Sequence, residues 1–322
     1  MTATIDKYAY ALLSPTDADS VQIGTSEYPG LRDFDRSPLD GHPASFVLEH
    51  FGIRRGASLF MTSELPPYAG MGTYSAGTVA LIRASTQFGG DALSAEEIAK
   101  VACDIEIQVM RMPIGKQDAY AVALGGLNSF EFDSEGVRQH ALQLANGVRQ
   151  EFASRLMLFF TGRSQRTSDG LAEYKRSMER NRASVMSALH EIKAGATELR
   201  RVLERGDLDE VGPLLDQGWS ASRQLGRGIG DAWMAQWYEM ARWAGADGGG
   251  TAGFGGTGFL FLYCLPERQR KVEEALDTAG LKRVDFRLAD VGVALILDEQ
   301  TRRPVFQRDA PLVGVRSRRA QH

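Results

Sequence analysis

The sequence predicts an α+β protein, and three observations predict it. Near residue 70 an alternating strand pattern runs into a glycine-rich loop and then an apolar stretch of helical length. Near residue 250 a second glycine cluster runs into an aromatic strand. Charged segments with helical periodicity fill the space between them. At 322 residues, 43% apolar and 24% charged, the chain makes one large domain or two modest ones and is neither disordered nor fibrous. Lysine plus arginine number 37 against 41 acids, a net charge of −4, so no polyanion-binding surface and no nucleic-acid partner is expected. The longest apolar run, Gly258–Leu265, is far short of the ~20 residues a membrane helix needs. The start, MTATIDKYAY, lacks the layout of a signal peptide. Two cysteines, Cys103 and Cys264, exclude a disulfide framework and a cysteine zinc site. These features predict a soluble cytoplasmic protein.

Of the elements in order, the first with chemical content spans Ala57–Phe88. Ala57–Leu65 alternates Leu59 and Met61 with Ser58 and Thr62, a strand that Pro66-Pro67 stops. The glycines of Gly70–Gly77 follow, and Ser75–Phe88 reads as a helix. Strand, glycine loop, hydroxyl residues and helix place backbone N–H groups and a positive helix end around one concavity. Such a nest suits a phosphate. A tight turn between strand and helix is the simpler reading of the same residues.

Ser94 and Glu97 then mark a helix start, with Ser94 as N-cap and Glu97 three residues on. The helix runs to about Met110 with Ile98, Val101, Ala102, Ile105 and Val109 as its apolar stripe and Glu106 near the stripe's edge. Asp118 lies twelve residues after Glu106, in a loop bounded by Pro113 and Gly115. A carboxylate on a helix edge and another on a following loop can serve Mg2+ binding and general-base work. A solvated glutamate and a capping aspartate fit the same pattern.

The second cluster, Gly245–Gly258, contains Gly253-Phe-Gly255-Gly-Thr-Gly258, which fits G-x-G-x-x-G. A dinucleotide fingerprint must follow a strand and open a helix. Here the run Phe259–Leu265 reads as a buried strand, so a Rossmann fold is rejected, and no P-loop motif occurs. After the strand Arg155–Gly162, the segments Thr167–Ala194, Glu198–Gly206 and Leu208–Leu225 read as charged helices with solvated faces. Pro266–Gly280, Val284–Leu288 and Val291–Leu297 read as helix, strand, strand. The five histidines are scattered and read as surface or satisfied core residues. Trp219, Trp233, Trp237 and Trp243 sit on amphipathic helices and read as packing residues.

Taken together, these motifs resemble the GHMP small-molecule kinases. Leu65-Pro-Pro-Tyr-Ala-Gly-Met-Gly-Thr-Tyr-Ser-Ala76 is similar to that family's ATP loop, Glu106 through Pro113–Gly126 to its metal and catalytic segment, and Gly248–Phe259 to its third, glycine-rich motif. Within the family, ATIDKYAY, Arg155–Gly162 and Gly125-Gly-Leu-Asn128 look most like the D-glycero-D-manno-heptose 7-phosphate kinases. The resemblance implies a two-part α+β fold. Residues 1–148 would be a ribosomal-S5-like, ATP-binding part and 149–322 a ferredoxin-like part, with the active cleft between them.

It also implies transfer of a phosphoryl group from ATP to a heptose 7-phosphate or a similar sugar or cyclitol phosphate, at the anomeric hydroxyl. Pro66, Gly70, Gly72, Thr73 and Ser75, with Gly253, Gly255 and Gly256, would hold the nucleotide. Glu106 and Thr73 would hold Mg2+, Asp118 would act as base and Lys116 would add positive charge. Arg163 and Arg166 would take the acceptor's phosphate, and the chain would work as a monomer or homodimer. The chain starts on the strand that follows the family's first motif; Tyr74 replaces a loop serine, and Gly250 a lysine-like position. Those departures motivate a second expectation, a kinase-like protein that binds nucleotide or sugar phosphate without turnover.

Overall fold

The computed structural model describes residues 1–25, 28–34, 43–66, 69–163, 176, 178–180, 182–225, 232–252, 258–298 and 303–304. Two sheets carry the first half. Strands β1 (Thr2–Ala3), β6 (Leu127–Phe132) and β7 (Val137–Ala141) pair antiparallel in the order β1-β6-β7. Strands β2 (Ala9–Pro15), β3 (Val21–Thr25), β4 (Tyr28–Phe34) and β5 (Ala57–Ser63) form the other, in the order β2-β5-β3-β4 with β3 and β5 parallel. The alternation read in the sequence holds in β5, where Ala57 and Leu59 are buried and Phe60 is exposed. Helix α2 (Thr73–Gly89) packs on β2 and β5, and α1 (Pro43–His50), α3 (Ala95–Cys103) and α4 (Gln117–Leu124) pack on α2. Leu48, Leu59, Leu81, Ile82, Ile98, Ile105 and Ala119 share that core.

After α5 (Asn146–Ser154), the second half is built on β8 (Leu156–Phe160), β9 (Gly248–Ala252), β10 (Phe259–Tyr263) and β11 (Lys282–Arg283). They pair antiparallel in the order β11-β8-β10-β9. Helices α6 (Arg182–Arg205), α7 (Val211–Ser222) and α8 (Ala232–Ala244) lie between β8 and β9, and α9 (Pro266–Thr278) between β10 and β11. This β-α-β-β-α-β arrangement is ferredoxin-like.

Strand β9 is the element the sequence hid, because its Gly-Gly-Gly-Thr-Ala reads as loop. Close packing explains it. A Cβ on Gly248 would lie 2.0 Å from the Gly212 carbonyl oxygen, and one on Gly212 would lie 2.5 Å from Asp247 Cβ. Bare backbone on both sides lets α7 seat directly on β9.

Three further expectations are corrected. The charged helix expected to break near residue 195 is continuous from Arg182 to Arg205; residues 167–175 of the expected segment lie outside the described residues. Val284–Leu288 is not a full strand: only Lys282–Arg283 joins the sheet. Of Val291–Leu297, only Leu297 is in a strand, β12 (Leu297–Asp298), paired with β13 (Arg303–Pro304). The physical reason is that residues 287–293 turn back onto the first half. Asp6 N donates to Arg287 O (3.0 Å), Ala289 N to Thr4 O (2.9 Å) and Val293 N to Ala123 O (3.0 Å). Leu127, Leu142, Phe152, Val202 and Tyr263 form a core that spans both halves, with Met1 and Leu288 packed on it. Among the described residues no helix is long and apolar enough to cross a membrane.

The glycine seam makes a paired prediction. Gly212→Ala forces α7 off β9 and lowers stability by ~1–3 kcal/mol, the usual cost of overpacking. Gly218→Ala, on the same helix with nothing within 4 Å, raises it by ~0.5–1 kcal/mol through helix propensity. Denaturant midpoints of the two variants check the contrast.

Candidate active site

The site begins with a left-handed turn. Gly70, Met71 and Gly72 have φ of 82°, 60° and 65°, so the chain doubles back just before α2. Met71 is the strained member, since a side chain in this region costs ~1–2 kcal/mol. Its side chain is anchored against the cluster of Leu65, Ala69, Leu158 and Phe259. Gly72 caps α2 with no side-chain hydrogen bond, which leaves the positive end of the helix facing the turn. From the other half, Gly258 presses on the loop: a Cβ there would lie 1.6 Å from the Ala69 carbonyl oxygen. The Gly258 carbonyl in turn accepts from Thr161 N (2.8 Å) and Thr161 Oγ1 (2.9 Å).

Glu106 reaches the site through a departure from α-helical geometry. The capping box at Ser94 and Glu97 forms as the sequence predicts, but the helix changes to a π-helix over Asp104–Val109, with Met110 N donating to Ile105 O. The wider turn rotates the expected stripe. Val109 becomes exposed, and Glu106, expected at the edge, is 1% exposed. Ser75, also buried, donates its hydroxyl to Glu106 Oε2 at 3.0 Å. Glu106 Oε1 is buried with no hydrogen-bond partner among the described residues.

Asp118 lies in the first turn of α4, not in a loop. The chain after the π-helix turns through Arg111 (φ 53°) and re-enters a helix at Gln117. A Cβ on Gly72 would meet Asp118 Cβ at 3.4 Å and Cγ at 3.5 Å, so the bare backbone of the loop faces this side chain across the space a methyl group would fill. Asp118 is exposed at the surface, yet enough protein surrounds it that desolvation raises its pKa. Burial pushes the Glu106 pKa up to about 7, opposed by the Thr78 and Ser75 hydroxyls and reinforced by the charge of Asp118. Two acids thus lie beside one helix N-terminus, and one of them has an unsatisfied oxygen.

The remaining candidates are placed as follows. Thr73 Oγ1 donates back to Gly70 O at 3.2 Å, so Ser75 is the loop hydroxyl that contacts Glu106. Tyr74 turns its phenol to Met110 Sδ (3.5 Å), toward the end of the π-helix. Lys116 is exposed and is the N-cap residue of α4, immediately before the turn that carries Asp118. Pro66 lies shortly after β5. The Arg163 guanidinium stands 5.1 Å from the Trp233 ring centre. Trp233 is half exposed and Trp243 is 89% exposed, so only Trp219 and Trp237 are the packing residues expected. Gly253, Gly255, Gly256 and Arg166 lie outside the described residues. Trp233 is the one neighbour sequence reasoning missed; no spacing signal links it to Arg163.

Residues 42–126, which hold the loop, Glu106 and Asp118, match the GHMP kinases N terminal domain. The chain carries that domain and has the α+β fold of the GHMP kinases. Among curated proteins it is similar to the D-glycero-alpha-D-manno-heptose 7-phosphate kinase of Campylobacter jejuni, 29% identical over 82% of this chain and 73% of that protein. It is also similar to the mevalonate kinase of Pyrococcus abyssi, 27% identical over 79% and 73%. A solved D-glycero-D-manno-heptose 1-phosphate kinase from Bacteroides thetaiotaomicron superposes with a TM-score of 0.72 at 24% identity, over 90% of this chain and 87% of that one. The Leishmania major (L. major) mevalonate kinase with bound R-mevalonate gives 0.69 at 17%, over 90% and 89%.

The raised pKa of Glu106 has a measurable consequence. The folded chain keeps this proton up to about pH 7, whereas the unfolded chain releases it near 4.5. The native state therefore binds the extra proton between those values, and stability falls as pH rises through the window. The loss is on the order of 3 kcal/mol for a shift of this size. Glu106→Gln stays neutral and removes that part of the slope, leaving the smaller part due to Asp118; denaturant midpoints at pH 5 and pH 7.5 measure it.

Proposed function

We propose that the chain is an ATP-dependent sugar kinase whose acceptor is a heptose 7-phosphate or a similar sugar or cyclitol phosphate, phosphorylated at the anomeric hydroxyl. The observation that carries this reading is that the left-handed turn at Gly72 faces Asp118 across the space of one methyl group, beside a buried Glu106 with an unsatisfied oxygen. The turn and the N-terminus of α2 cradle the phosphates of ATP through backbone N–H groups and the Thr73 and Ser75 hydroxyls. Asp118 takes the proton of the acceptor hydroxyl as its oxygen bonds to the γ-phosphorus and the bond to the ADP oxygen breaks. The raised pKa of Asp118 makes it a better base than an ordinary aspartate. Lys116, next to the same turn, adds positive charge where the transferred group gathers negative charge.

Glu106 and a loop hydroxyl, Thr73 or Ser75, are the residues that would hold Mg2+, which when bound neutralises charge on the phosphate oxygens. Arg163 makes no ion pair with a described residue and is held over Trp233, a posture that presents its donors to an acceptor phosphate. In this reading residues 1–148 supply the nucleotide and both acids, and residues 149–322 the acceptor side. Catalysis is then mostly positioning and electrostatics.

Phosphoryl transfer from ATP to a panel of sugar and cyclitol phosphates tests the reading. Asp118→Asn lowers kcat by ~10²–10⁴-fold, the range for a lost general base; a variant with near-full turnover removes Asp118 from that role. In the unsubstituted chain Mg2+ raises the melting temperature increasingly from pH 6 to pH 8, as Glu106 ionises. Glu106→Gln loses that Mg2+ shift, measured by scanning fluorimetry.

A further inference from the structure

We propose that the returning segment Asp290–Val293 is a positioning element for the transfer: it clamps the C-terminal end of α4 and so holds Asp118 at the phosphate loop. The inference rests on the kinase reading for its catalytic half, but its geometry stands independently.

Helix α4 is eight residues long, about 12 Å, and has no side-chain cap at its N-terminus. Its first hydrogen bond, Tyr120 N to Lys116 O, is long at 3.3 Å. The opposite end is held from outside the helix. Thr4 Oγ1 donates to Ala121 O (3.1 Å) and Val293 N to Ala123 O (3.0 Å). Asn128 Nδ2 donates to Gly125 O (2.6 Å), and Gly126 N to Ala289 O (2.9 Å). Backbone meets backbone directly at two glycines: a Cβ on Gly125 would lie 2.2 Å from Gly292 N, and one on Gly292 2.2 Å from Ala123 O. Arg149 pairs with Asp290 at 2.5 Å and ties the segment to α5. A rigid two-turn helix fixed at one end transmits any displacement to the other, where Asp118 sits.

The clamp also has a geometric partner. The half of the chain that follows β8 supplies both Gly258, which presses on Ala69 of the loop, and Val293, which holds α4. One body thus sets both walls of the Gly72–Asp118 gap. A shift between the halves moves nucleotide loop and base together, instead of opening one against the other.

Gly292→Ala tests the clamp by wedging the segment from the Ala123 carbonyl, and Thr4→Val tests it gently by removing one hydrogen bond at nearly constant shape. The expected result for Gly292→Ala is a fall in kcat of about 10²-fold, typical of a misplaced catalytic group, at unchanged KM for ATP. Amide hydrogen exchange should quicken at residues 117–124 and stay unchanged in β2 and β5. Thr4→Val should lower kcat in the same direction by less, with no change in melting temperature. Unchanged kcat in both variants, or exchange that quickens equally across the N-terminal core, overturns the proposal. If the unsubstituted chain phosphorylates no acceptor, the kinase reading fails. The exchange experiment then decides the clamp alone: quickening confined to 117–124 supports it and its absence refutes it.

Discussion

A buried acid without a counter-charge constrains the rest of this molecule. Glu106 is 1% exposed, shares one oxygen with the Ser75 hydroxyl and leaves the other unsatisfied. Burying an ionised carboxylate in this way costs several kcal/mol unless something neutralises it. The protein answers with a proton, through a pKa raised to about 7, and with the positive end of α2 close by. The π-turn that buries Glu106, the uncapped start of α2 and the placement of Asp118 make sense as one arrangement. Each is unfavourable alone, and all three meet around the start of α2.

Strain follows the same logic. Met71 adopts a left-handed conformation that glycine would accept more easily, and its side chain is used to pin the loop to the second half through Leu158 and Phe259. A glycine there would relax the turn and lose the anchor. The loop is therefore both bent and fastened, which is what holding phosphate groups by backbone donors requires.

Much of this was legible in the sequence because local rules dominate where the motifs lie. The alternation of Leu59 and Met61, the capping box at Ser94 and Glu97, and the loop Gly70–Ser75 each report their structure within a few residues. Glu106 reads from the sequence as lying near the edge of its apolar stripe, and its full burial is not legible there, since a π-helix leaves no mark in a 3.6-residue pattern. Asp118 was read as a loop residue because Pro113 and Gly115 suggest a longer turn than the chain makes. Strand β9 was invisible for a different reason: its glycines are selected by α7 approaching from 35 residues away in sequence, and strand propensity says nothing of that. The segment at 287–293 was misread as strands because its partners, Thr4 and Ala123, are remote in the chain.

That remoteness bears on how the molecule comes into being. Thr4, Asp6 and the end of α4 belong to the first 124 residues, yet they make hydrogen bonds with residues 287–293. On a ribosome the early elements emerge well before those partners exist. The N-terminal half can collapse around Leu48, Leu59 and Ile82, but the helix with the reactive aspartate stays unfastened until nearly the whole polypeptide has been made. Such long-range closure slows the last step of folding. It also sets an order of assembly: a nascent or truncated chain carries every residue of the Gly70–Ser75 loop while α4 still lacks its bond to Val293.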